Sequence, residues 1–314
     1  MTAVSGILNI NKPSGLTSRD VVNRVLWRLR EETGRRKIKV GHCGTLDPMA
    51  TGVLVICVGS ATRLVSTIQE LPKTYRGTFR LGIATDTDDI TGTAIRDSPV
   101  DADAFSADAI RELLPEFTGR ISQLPPRFSA VHVDGKRAYE LARKGQDVQL
   151  EPRDVDVYEL SLERFDCPEF ELRIQCGSGT YIRSIGRDLG ERLECGATMT
   201  SLERTSIGPF EVNAGLDVGS LAEGSLIDRL QSPRDGVAHL RWLEVSQTQV
   251  GQIRNGRSVP LDLHAIQPAS IRLPAEPVEM RMALIAADGE LIAIAGAGKQ
   301  PGMLQPQIVF PDQA

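Results

Sequence analysis

The chain has 314 residues, of which 41% are hydrophobic and 25% charged, and its formal net charge is −5. This composition is typical of a globular protein and excludes a wholly disordered chain. No apolar run approaches the roughly 18 residues of a membrane span, and the first residues lack the charged and apolar regions of a signal peptide. The five cysteines are widely spaced and only four histidines are present, which argues against a disulfide framework or a zinc cluster. We therefore expect a cytoplasmic protein without a membrane anchor.

Local patterns predict mixed strands and helices along the first half of the chain. In chain order they are a strand over 6–11, a helix capped by Thr17 or Ser18 and ended by Gly34, a buried strand over 53–58, a half-buried strand over 74–83, an acidic loop over 85–92 and a helix capped by Ser106.

The second half is expected to contain more strands. The predicted elements are a hairpin around 133–136, a short helix near 137–144, paired strands over 155–164 and 170–176, a turn opening into a helix within 177–193, a loop-rich stretch over 215–240, a helix that opens the stretch 240–259, and then short strands with a hairpin at Asp288-Gly289.

The most unusual stretch is GHCGTLDPMATG, residues 41–52. Glycines and a proline bracket His42, Thr45 and Asp47, and a buried strand follows directly, which is a common setting for catalytic groups. An Asp-Pro pair is also an ordinary turn initiator. The neighbouring Cys43 is interpreted as a buried, inert cysteine rather than a nucleophile.

A second candidate site is Gly179-Thr180-Tyr181-Ile182-Arg183, where a tight turn opens into a helix. Tyr181 could stack on a ring, and Arg183 could meet a carboxylate or phosphate. A surface salt bridge with Asp188 or Asp86 is the alternative for Arg183. Tyr75, on the apolar side of its strand, is by pattern alone more typical of a core residue.

Several motifs, in order, resemble the tRNA pseudouridine synthase B family, whose members isomerise uridine 55 in the T loop of tRNA. The resemblance covers about 200 residues. Its motifs are GHCGTLDPMATGVL (41–54), GILNINKPSGLTS (6–18), KTYRGTFRLGIATDTDDITG (73–92), PPRFSAVHVDGKRAYELARKG (125–145), CGSGTYIRSIGRDLGERLECGAT (176–198) and SLERTSIGPF (201–210).

The resemblance implies an α+β pseudouridine synthase fold with a mixed, mainly antiparallel central sheet flanked by helices. It implies a catalytic domain over 1–236 that carries an RNA-gripping insertion at about 120–153. A small β-rich domain over 237–314 resembles, more loosely, a PUA-like RNA-binding module.

The resemblance also assigns roles to single residues. Asp47 becomes the catalytic aspartate, Tyr75 the aromatic that stacks on the target uracil, and Arg183 the partner of the catalytic carboxylate. The substrate-binding residues are the pocket walls Tyr181 and Leu202, His42, which holds the flipped nucleotide, Asp89, which steadies the arginine, and Lys12, which with Pro13 supports the Asp47 loop.

The chemistry implied by the family transfers no electrons and no external group, so neither cofactor nor metal is expected. Asp47 must be ionised, and a guanidinium such as that of Arg183 favours the charged form. Whether Asp47 attacks the ribose or the uracil stays open at this point. Tyr75 could instead transfer a proton, although an unperturbed phenol is a poor base at neutral pH.

The net charge is unevenly distributed, which bears on the expected tRNA partner. Residues 1–80 carry 13 basic and 5 acidic groups, and residues 119–153 carry 7 and 4, whereas residues 154–238 carry 8 and 16. We therefore expect a basic face that grips the T arm. The residues predicted to follow its backbone are Arg127, Lys136, Arg137, Arg143 and Lys144.

Two alternatives accompany this interpretation. One is a guide-RNA-dependent synthase subunit of a ribonucleoprotein, which usually carries basic tails that this chain lacks. The other is a non-catalytic or dual-role RNA-binding or RNA-folding protein on the same scaffold, against which the joint presence of Asp47, Tyr75 and Arg183 argues. Relatives act as monomers, and we expect the same here.

Overall fold

A computed structural model describes residues 4–101, 104–129, 131–133, 136–137, 141, 149–271, 274 and 281–311. The chain forms two compact units. Unit 1 comprises Met1–Pro48, Gly52–Leu71 and Ser206–Ala314, and unit 2 comprises Met49–Thr51 and Pro72–Thr205. The C-terminal residues belong to the same unit as the N-terminal ones, and the domain boundary expected between residues 236 and 237 stays a prediction.

The N-terminal part of unit 1 combines short strands with two helices. Its elements are β1 (Gly6–Lys12), α1 (Ser18–Thr33), β2 (Val40–His42), β3 (Thr51–Val58), α2 (Val65–Gln69), β13 (Phe210–Glu211) and β14 (Leu216–Asp217). β1 pairs antiparallel with β3 and parallel with β14, and β2 pairs antiparallel with β3. The expected mixed sheet is therefore confirmed.

Strand β3 is apolar throughout because both of its faces are covered. Val53, Val55 and Cys57 point into one hydrophobic core. Leu54, Ile56 and Val58 point into another, together with the buried side of α1. Since neighbouring side chains of a strand point to opposite faces, a continuous apolar run is what burial on both sides requires.

Helix α1 begins and ends where the sequence predicts. Thr17 is the N-cap, and its side chain and that of Asp20 form a reciprocal capping box. Gly34 ends the helix in the left-handed region, at φ 68°, where glycine has no steric penalty. Four apolar residues face the core: Val21, Val22, Val25 and Leu29.

The C-terminal part of unit 1 is β-rich, as expected. Its elements are β15 (Arg241–Val245), α5 (Gln247–Arg254), β16 (Val259–Pro260), β17 (Arg281–Ala286), β18 (Leu291–Ala297) and β19 (Met303–Val309). The strand order is β15-β17-β18-β19-β16. The hairpin at Asp288-Gly289 is confirmed, with Gly289 at φ 88°.

One prediction in this region was partly wrong. Residues 240–259 were expected to begin with a helix, but the stretch opens with β15, and the helix starts only after the N-cap Ser246. β15 pairs in parallel with β17, some 40 residues further along the chain. That long-range pairing, which the local pattern does not contain, decides the conformation.

Unit 2 is built on a larger antiparallel sheet. Its elements are β4 (Lys73–Leu81), β5 (Ile83–Thr85), β6 (Ala94–Asp97), α3 (Ala107–Leu113), β7 (Gly119–Gln123), β8 (His132–Val133), β9 (Lys136–Arg137), β10 (Arg153–Asp166), β11 (Glu169–Cys176), α4 (Ile182–Arg192) and β12 (Ala197–Ile207).

In the main sheet the strand order is β12-β4-β11-β10-β7. The predicted pair at 155–164 and 170–176 is confirmed as β10 and β11, and the predicted hairpin around 133–136 as β8 and β9. The single strand expected over 74–83 is divided into β4 and β5 at Gly82, whose φ is 84°. Most of the helix expected near 137–144 lies outside the described residues: of these positions only 137, which belongs to β9, and 141 are described.

Helix α4 packs unusually close to the strands of unit 2. A Cβ atom at Gly186 would lie 2.1 Å from the Phe79 ring, and one at Gly190 would lie 2.2 Å from the backbone nitrogen of Ala197. Phe79 in turn stacks on Phe170, with ring centroids 5.2 Å apart. The two glycines, in the middle and the last turn of α4, therefore allow the helix to pack this closely.

Candidate active site

The backbone before Asp47 is hydrogen-bonded to a serine at the start of α1. The Ser18 hydroxyl accepts a hydrogen bond from the backbone N–H of Leu46 (2.9 Å) and donates one to the Leu46 carbonyl (3.2 Å). Ser18 is 3% exposed and Leu46 also 3%. These two hydrogen bonds fix both backbone polar groups of Leu46, the residue that precedes the half-buried Asp47.

The backbone after Asp47 is held by the end of β1 and the turn that follows it. The Pro48 carbonyl accepts hydrogen bonds from the Gly15 N–H (2.8 Å) and from Lys12 Nζ (3.2 Å). Lys12 is fully buried, and its ammonium also donates to the carbonyls of Pro13 (2.9 Å) and Leu16 (2.8 Å). A buried ammonium needs such partners, so Lys12 ties the turn to the Asp47 loop.

His42 ends β2, where it pairs with Ile56 of β3 and is half-buried. The next residue, Cys43, is fully buried, and its Sγ lies 3.4 Å from Cys57 Sγ. The hydrogen bond with Cys43, together with burial, raises the pKa of the Cys57 thiol far above its ordinary value. The full burial of Cys43 fits the inert role predicted for it.

In unit 2, Arg183 lies in the first turn of α4 and is buried rather than on the surface. Its guanidinium is 3.5 Å from the carboxylate of Asp89, and both side chains are 7% exposed. It also donates to the carbonyls of Thr87 (2.9 Å) and Phe128 (3.0 Å). The structure thus brings Arg183 and Asp89 together, and the surface alternatives with Asp86 or Asp188 do not describe this arginine.

Asp89 is itself locked by the threonines of the acidic loop. Its Oδ1 accepts hydrogen bonds from Thr87 Oγ1 (2.9 Å), the Thr91 N–H (3.0 Å) and Thr91 Oγ1 (2.5 Å). Oδ2 remains for Arg183. A buried carboxylate whose oxygens are both hydrogen-bonded or ion-paired keeps one orientation. The Asp89 carboxylate therefore orients the guanidinium of Arg183.

Tyr75 lies on β4, opposite Ile174 of β11, and is half-buried. The guanidinium carbon of Arg204, on β12, lies 6.0 Å from the centroid of its ring. Arg204 is 1% exposed, so a buried cation stands beside this aromatic ring, at the outer limit of a cation–π contact.

The two predicted pocket walls are also fixed within unit 2. Gln123 binds the backbone of Tyr181 on both sides: its Oε1 accepts from the Tyr181 N–H (2.7 Å), and its Nε2 donates to the Tyr181 carbonyl (3.0 Å). Leu202, 7% exposed, lies on β12, and its carbonyl accepts a hydrogen bond from Thr51 Oγ1 (3.5 Å).

Similarity to known proteins decides the family. Residues 30–182 match the model described as "TruB family pseudouridylate synthase (N terminal domain)". The tRNA pseudouridine synthase B of Microcystis aeruginosa is 44% identical to this chain over 82% of the chain and 85% of its own length. The chain belongs to the TruB family of pseudouridine synthases.

Other TruB-family relatives extend the match over nearly all of the chain. The tRNA pseudouridine synthase B of Geobacter sulfurreducens is 41% identical over 81% of this chain and 82% of its own length. The protein of the same name from Prochlorococcus marinus is 36% identical over 97% of both chains.

Two solved structures share the fold of this chain. A chain in a Cbf5-Nop10-Gar1 complex matches with a TM-score of 0.70 and 24% identity, over 98% of this chain and 85% of that one. A chain in an H/ACA RNP bound to a substrate RNA containing 2'-deoxyuridine matches with a TM-score of 0.69 and 23% identity, over 98% and 86%. The predicted α+β fold is confirmed.

The basic residues predicted to follow the RNA backbone are only partly described. Arg127 is exposed and lies between Pro126, which is buried, and the half-buried Phe128, whose carbonyl accepts a hydrogen bond from Arg183. The backbone of Lys136 and Arg137 forms β9. Arg143 and Lys144 lie outside the described residues. The pairing of Asp47 with Arg183, like the catalytic roles of all these residues, stays a prediction.

Within the part of the chain that the structure describes, no group of three or more His, Cys, Asp or Glu side chains could hold a metal ion. No helix in this part is long and apolar enough to cross a membrane.

Three residues at the site were not singled out by sequence reasoning. Ser18 was considered only as a possible helix cap, whereas Thr17 is the cap and Ser18 binds Leu46. Gln123 carries no local signal, because its partner Tyr181 is 58 residues away. Arg204 lies in the SLERTSIGPF motif, where its burial beside Tyr75 could not be read from the motif alone.

Proposed function

We propose that this TruB-family chain converts uridine 55 in the T loop of tRNA to pseudouridine. The observation that carries the proposal is the 44% identity, over more than four-fifths of both chains, to a protein named tRNA pseudouridine synthase B. The Cbf5 and H/ACA chains share the fold at only 23–24% identity. This difference favours a tRNA substrate over a guide-RNA-dependent role.

In the proposed reaction the bond between ribose C1′ and uracil N1 breaks, the uracil rotates, and C1′ bonds to uracil C5. The proton on C5 is lost and N1 gains one, so atoms and electrons balance. The protein must supply a carboxylate that stabilises or attacks the electron-poor centre. Asp47 is the proposed group, since the hydrogen bonds on both sides of it hold its backbone in one geometry.

Arg183 is proposed to keep the Asp47 carboxylate charged. Its hydrogen bonds to Thr87 and Phe128 and its contact with Asp89 hold the guanidinium in one orientation. Tyr75 is proposed to stack on the uracil, with Tyr181 and Leu202 as walls of its pocket and His42 holding the flipped nucleotide.

A uridine stacked within a folded loop must be flipped out before it can react, at a cost of roughly a few kcal/mol. Stacking on an aromatic ring such as Tyr75 returns about 1–3 kcal/mol per base. Phosphate contacts from the T-arm set, Arg127, Lys136, Arg137, Arg143 and Lys144, are proposed to supply the remainder.

We further propose that the protein works as a monomer in the cytoplasm. All five cysteines are free thiols. Cys43 and Cys57 lie close together without forming a disulfide, which fits a reducing compartment.

The test is tritium release from an unmodified tRNA transcript labelled at C5 of its uridines. We expect release by the native chain and at least about a thousandfold less by Asp47→Asn, because the reacting carboxylate is gone. Asp97→Asn, at an exposed aspartate of β6, is the matched control and should release normally.

Two further results bear on the details. A transcript with cytidine at position 55 should release no tritium, and release from it would contradict the proposed position. If the native protein and both variants bind tRNA but none of them releases tritium, the non-catalytic, RNA-folding alternative is favoured.

A further inference from the structure

The outer face of α1 carries an exposed tryptophan. Trp27 is 61% exposed, although the opposite side of the same helix is fully buried in a hydrophobic core. Arg24 and Arg30 lie three residues before and after it, and both are exposed. At 3.6 residues per turn, positions three apart are neighbours on a helix surface. The indole is therefore flanked by one guanidinium on each side along the helix.

The charge of this part of the chain is strongly one-sided. Residues 18–39, which span α1 and the segment leading to β2, contain eight basic and three acidic residues. Each acid is already engaged: Asp20 by Thr17, Glu31 by Arg28, and Glu32 by Ser225 and the Leu226 N–H. These contacts leave the negative charges of the acids in place, and Asp20 also interacts electrostatically with Arg24. With eight basic and three acidic residues, the segment keeps a surplus of five positive charges.

Most of the basic side chains point outward. Six of them are exposed and form no ion pair with any residue that the structure describes: Arg19, Arg24, Arg30, Arg36, Lys37 and Lys39. Exposed cations in excess over acids raise the local concentration of polyanions. They do so beside the one large aromatic side chain of this helix.

We propose that this surface, defined by Arg24, Trp27, Arg30, Arg36 and Lys37 and called the Trp27 face, binds the substrate RNA away from the reacting uridine. Trp27 stacks on an unpaired base, and the basic side chains contact the phosphates on either side of it. Aromatic stacking interleaved with basic groups is how proteins bind unpaired nucleotides without reading their sequence. The inference rests on the proposed function, which supplies an RNA.

The Trp27 face lies within reach of an RNA that occupies the Asp47 loop. Helix α1 starts at Ser18, whose hydroxyl binds Leu46 next to Asp47. Trp27 is nine residues further along, about 14 Å by the helical rise. At its other end the basic segment returns to β2, which ends at His42. The segment 18–39, which carries the proposed surface, is therefore tied at its start to the loop that carries Asp47 and leads at its end, through β2, into that loop.

The experiment uses the tryptophans themselves as probes, because the chain contains only two. Trp242 lies on β15, half-buried, with the Arg234 guanidinium 5.0 Å from its ring. In a Trp242→Phe protein, Trp27 is the sole indole. We expect an unmodified tRNA transcript to quench its emission with the same midpoint as binding of a dye-labelled copy of that tRNA.

Kinetics test the contribution of the face to binding. Trp27→Ala and the double variant Arg24→Gln/Arg30→Gln should each raise KM for full-length tRNA about tenfold and leave kcat unchanged. The double variant should also lower the slope of log affinity against log salt by between one and two, as expected for two lost phosphate contacts. Trp27→Phe should retain most of the affinity, since it keeps an aromatic face.

Two controls separate a specific site from loss of any exposed group. Leu263→Ala removes another exposed apolar side chain (69% exposed), and Arg111→Gln removes an arginine of α3 that pairs with Asp108. Neither should change KM. An increase in KM for the controls equal to that of the Trp27-face variants would overturn the proposal.

The failure of this inference can be told from failure of the proposed function. If the labelled tRNA binds and releases tritium while Trp27 emission stays constant, the Trp27 face is not an RNA site. If tRNA neither binds nor reacts, the proposed function itself is wrong. A change in Trp27 emission with phosphatidylserine vesicles but not with tRNA would replace RNA by an anionic lipid surface and also overturn the proposal.

Discussion

Among single residues, the most consequential contacts are those that hold the backbone on both sides of Asp47. Ser18 binds Leu46 through both its donor and its acceptor, and Lys12 and Gly15 share the carbonyl of Pro48. A displacement of about 1 Å in a reacting group can cost a hundredfold in rate. The loop is short and glycine-bounded, so it depends on these contacts for its position.

We predict that Ser18→Ala lowers kcat about 10- to 100-fold and leaves KM and the affinity for tRNA unchanged. The substitution leaves the buried N–H and carbonyl of Leu46 without their partner, at a cost of about 1–3 kcal/mol for each unsatisfied group. That free energy is released if the loop moves, and Asp47 moves with it. Single-turnover rates and tRNA binding, measured side by side, check the prediction.

The matched control is Ser14→Ala, an exposed serine in the preceding turn, which should behave as the native protein. Ser18→Thr keeps the hydroxyl and should recover part of kcat. A Ser18→Ala protein with native kcat would contradict a positioning role, whatever its thermal stability.

Among the elements, α4 carries Arg183 and reaches its place through two glycines. Ile182, Ile185 and Leu189 bury one side of the helix, and Gly186 lets it approach the Phe79 ring. A helix prefers alanine over glycine by about 1 kcal/mol per residue. A glycine in the middle of α4 therefore indicates that close packing outweighs helix propensity.

We predict that Gly186→Ala destabilises the protein by about 1–3 kcal/mol, because overpacking costs more than the gain in helix propensity. The added Cβ would lie 2.1 Å from a ring carbon of Phe79, so either the helix or the ring must shift. Since Arg183 is one turn away, kcat should also fall. Urea unfolding and tritium release are the measurements.

The control for this prediction is Gly251→Ala in α5, where an added Cβ would meet nothing within 4 Å. There helix propensity acts alone, and we expect stabilisation by about 0.5–1 kcal/mol. Stabilisation by Gly186→Ala as well would show that the close approach of α4 is not rigid.

For the whole molecule, the main feature of unit 1 is a core shared between the two ends of the chain. Ile7, Val53 and Val55 from the N-terminal strands pack in one cluster with Ile285 and Phe310 from the C-terminal strands. Burial of this shared apolar surface is the dominant favourable contribution to folding. Folding of the C-terminal strands is therefore coupled to that of the N-terminal sheet.

His239, directly before the buried Leu240 of this core, makes the stability of the molecule depend on pH. It is 7% exposed, and neither ring nitrogen has a hydrogen-bond partner among the residues described. Burial, with Arg281 nearby, lowers the pKa of His239 from 6.5 to about 4, although Glu70 opposes the shift. The folded protein thus favours the neutral imidazole.

We predict that His239 destabilises the protein as the pH falls from about 6.5 to 4. In that window the unfolded chain binds a proton that the folded chain does not, so the free energy of unfolding decreases with acidity, by up to roughly 3 kcal/mol. Above pH 6.5 the contribution is fully present. Urea unfolding at pH 7, 5.5 and 4.5 gives the slope.

His239→Leu should lose this part of the pH dependence, and the exposed His264→Gln should keep it. A difference between native and His239→Leu proteins that does not change with pH would contradict the prediction.

Much of the fold could be predicted because its signals are local. The capping box at Thr17 and Asp20, the stop at Gly34 and the turn at Gly289 each depend on a few neighbouring residues. The alternating pattern of β4 reflects one buried face. β15 shows the limit: its conformation is fixed by pairing with β17, and the local pattern indicated a helix.

The sequence by itself determined the family, most of the elements and most of the candidate residues, since these depend on residue type, spacing and order. The tertiary structure decided how those residues are held. Ser18 meets Leu46 across 28 residues, Gln123 meets Tyr181 across 58, and Arg183 reaches Thr87 across 96. Such contacts arise only when packing of the cores brings distant segments together, because no local preference of the chain specifies a partner so far away.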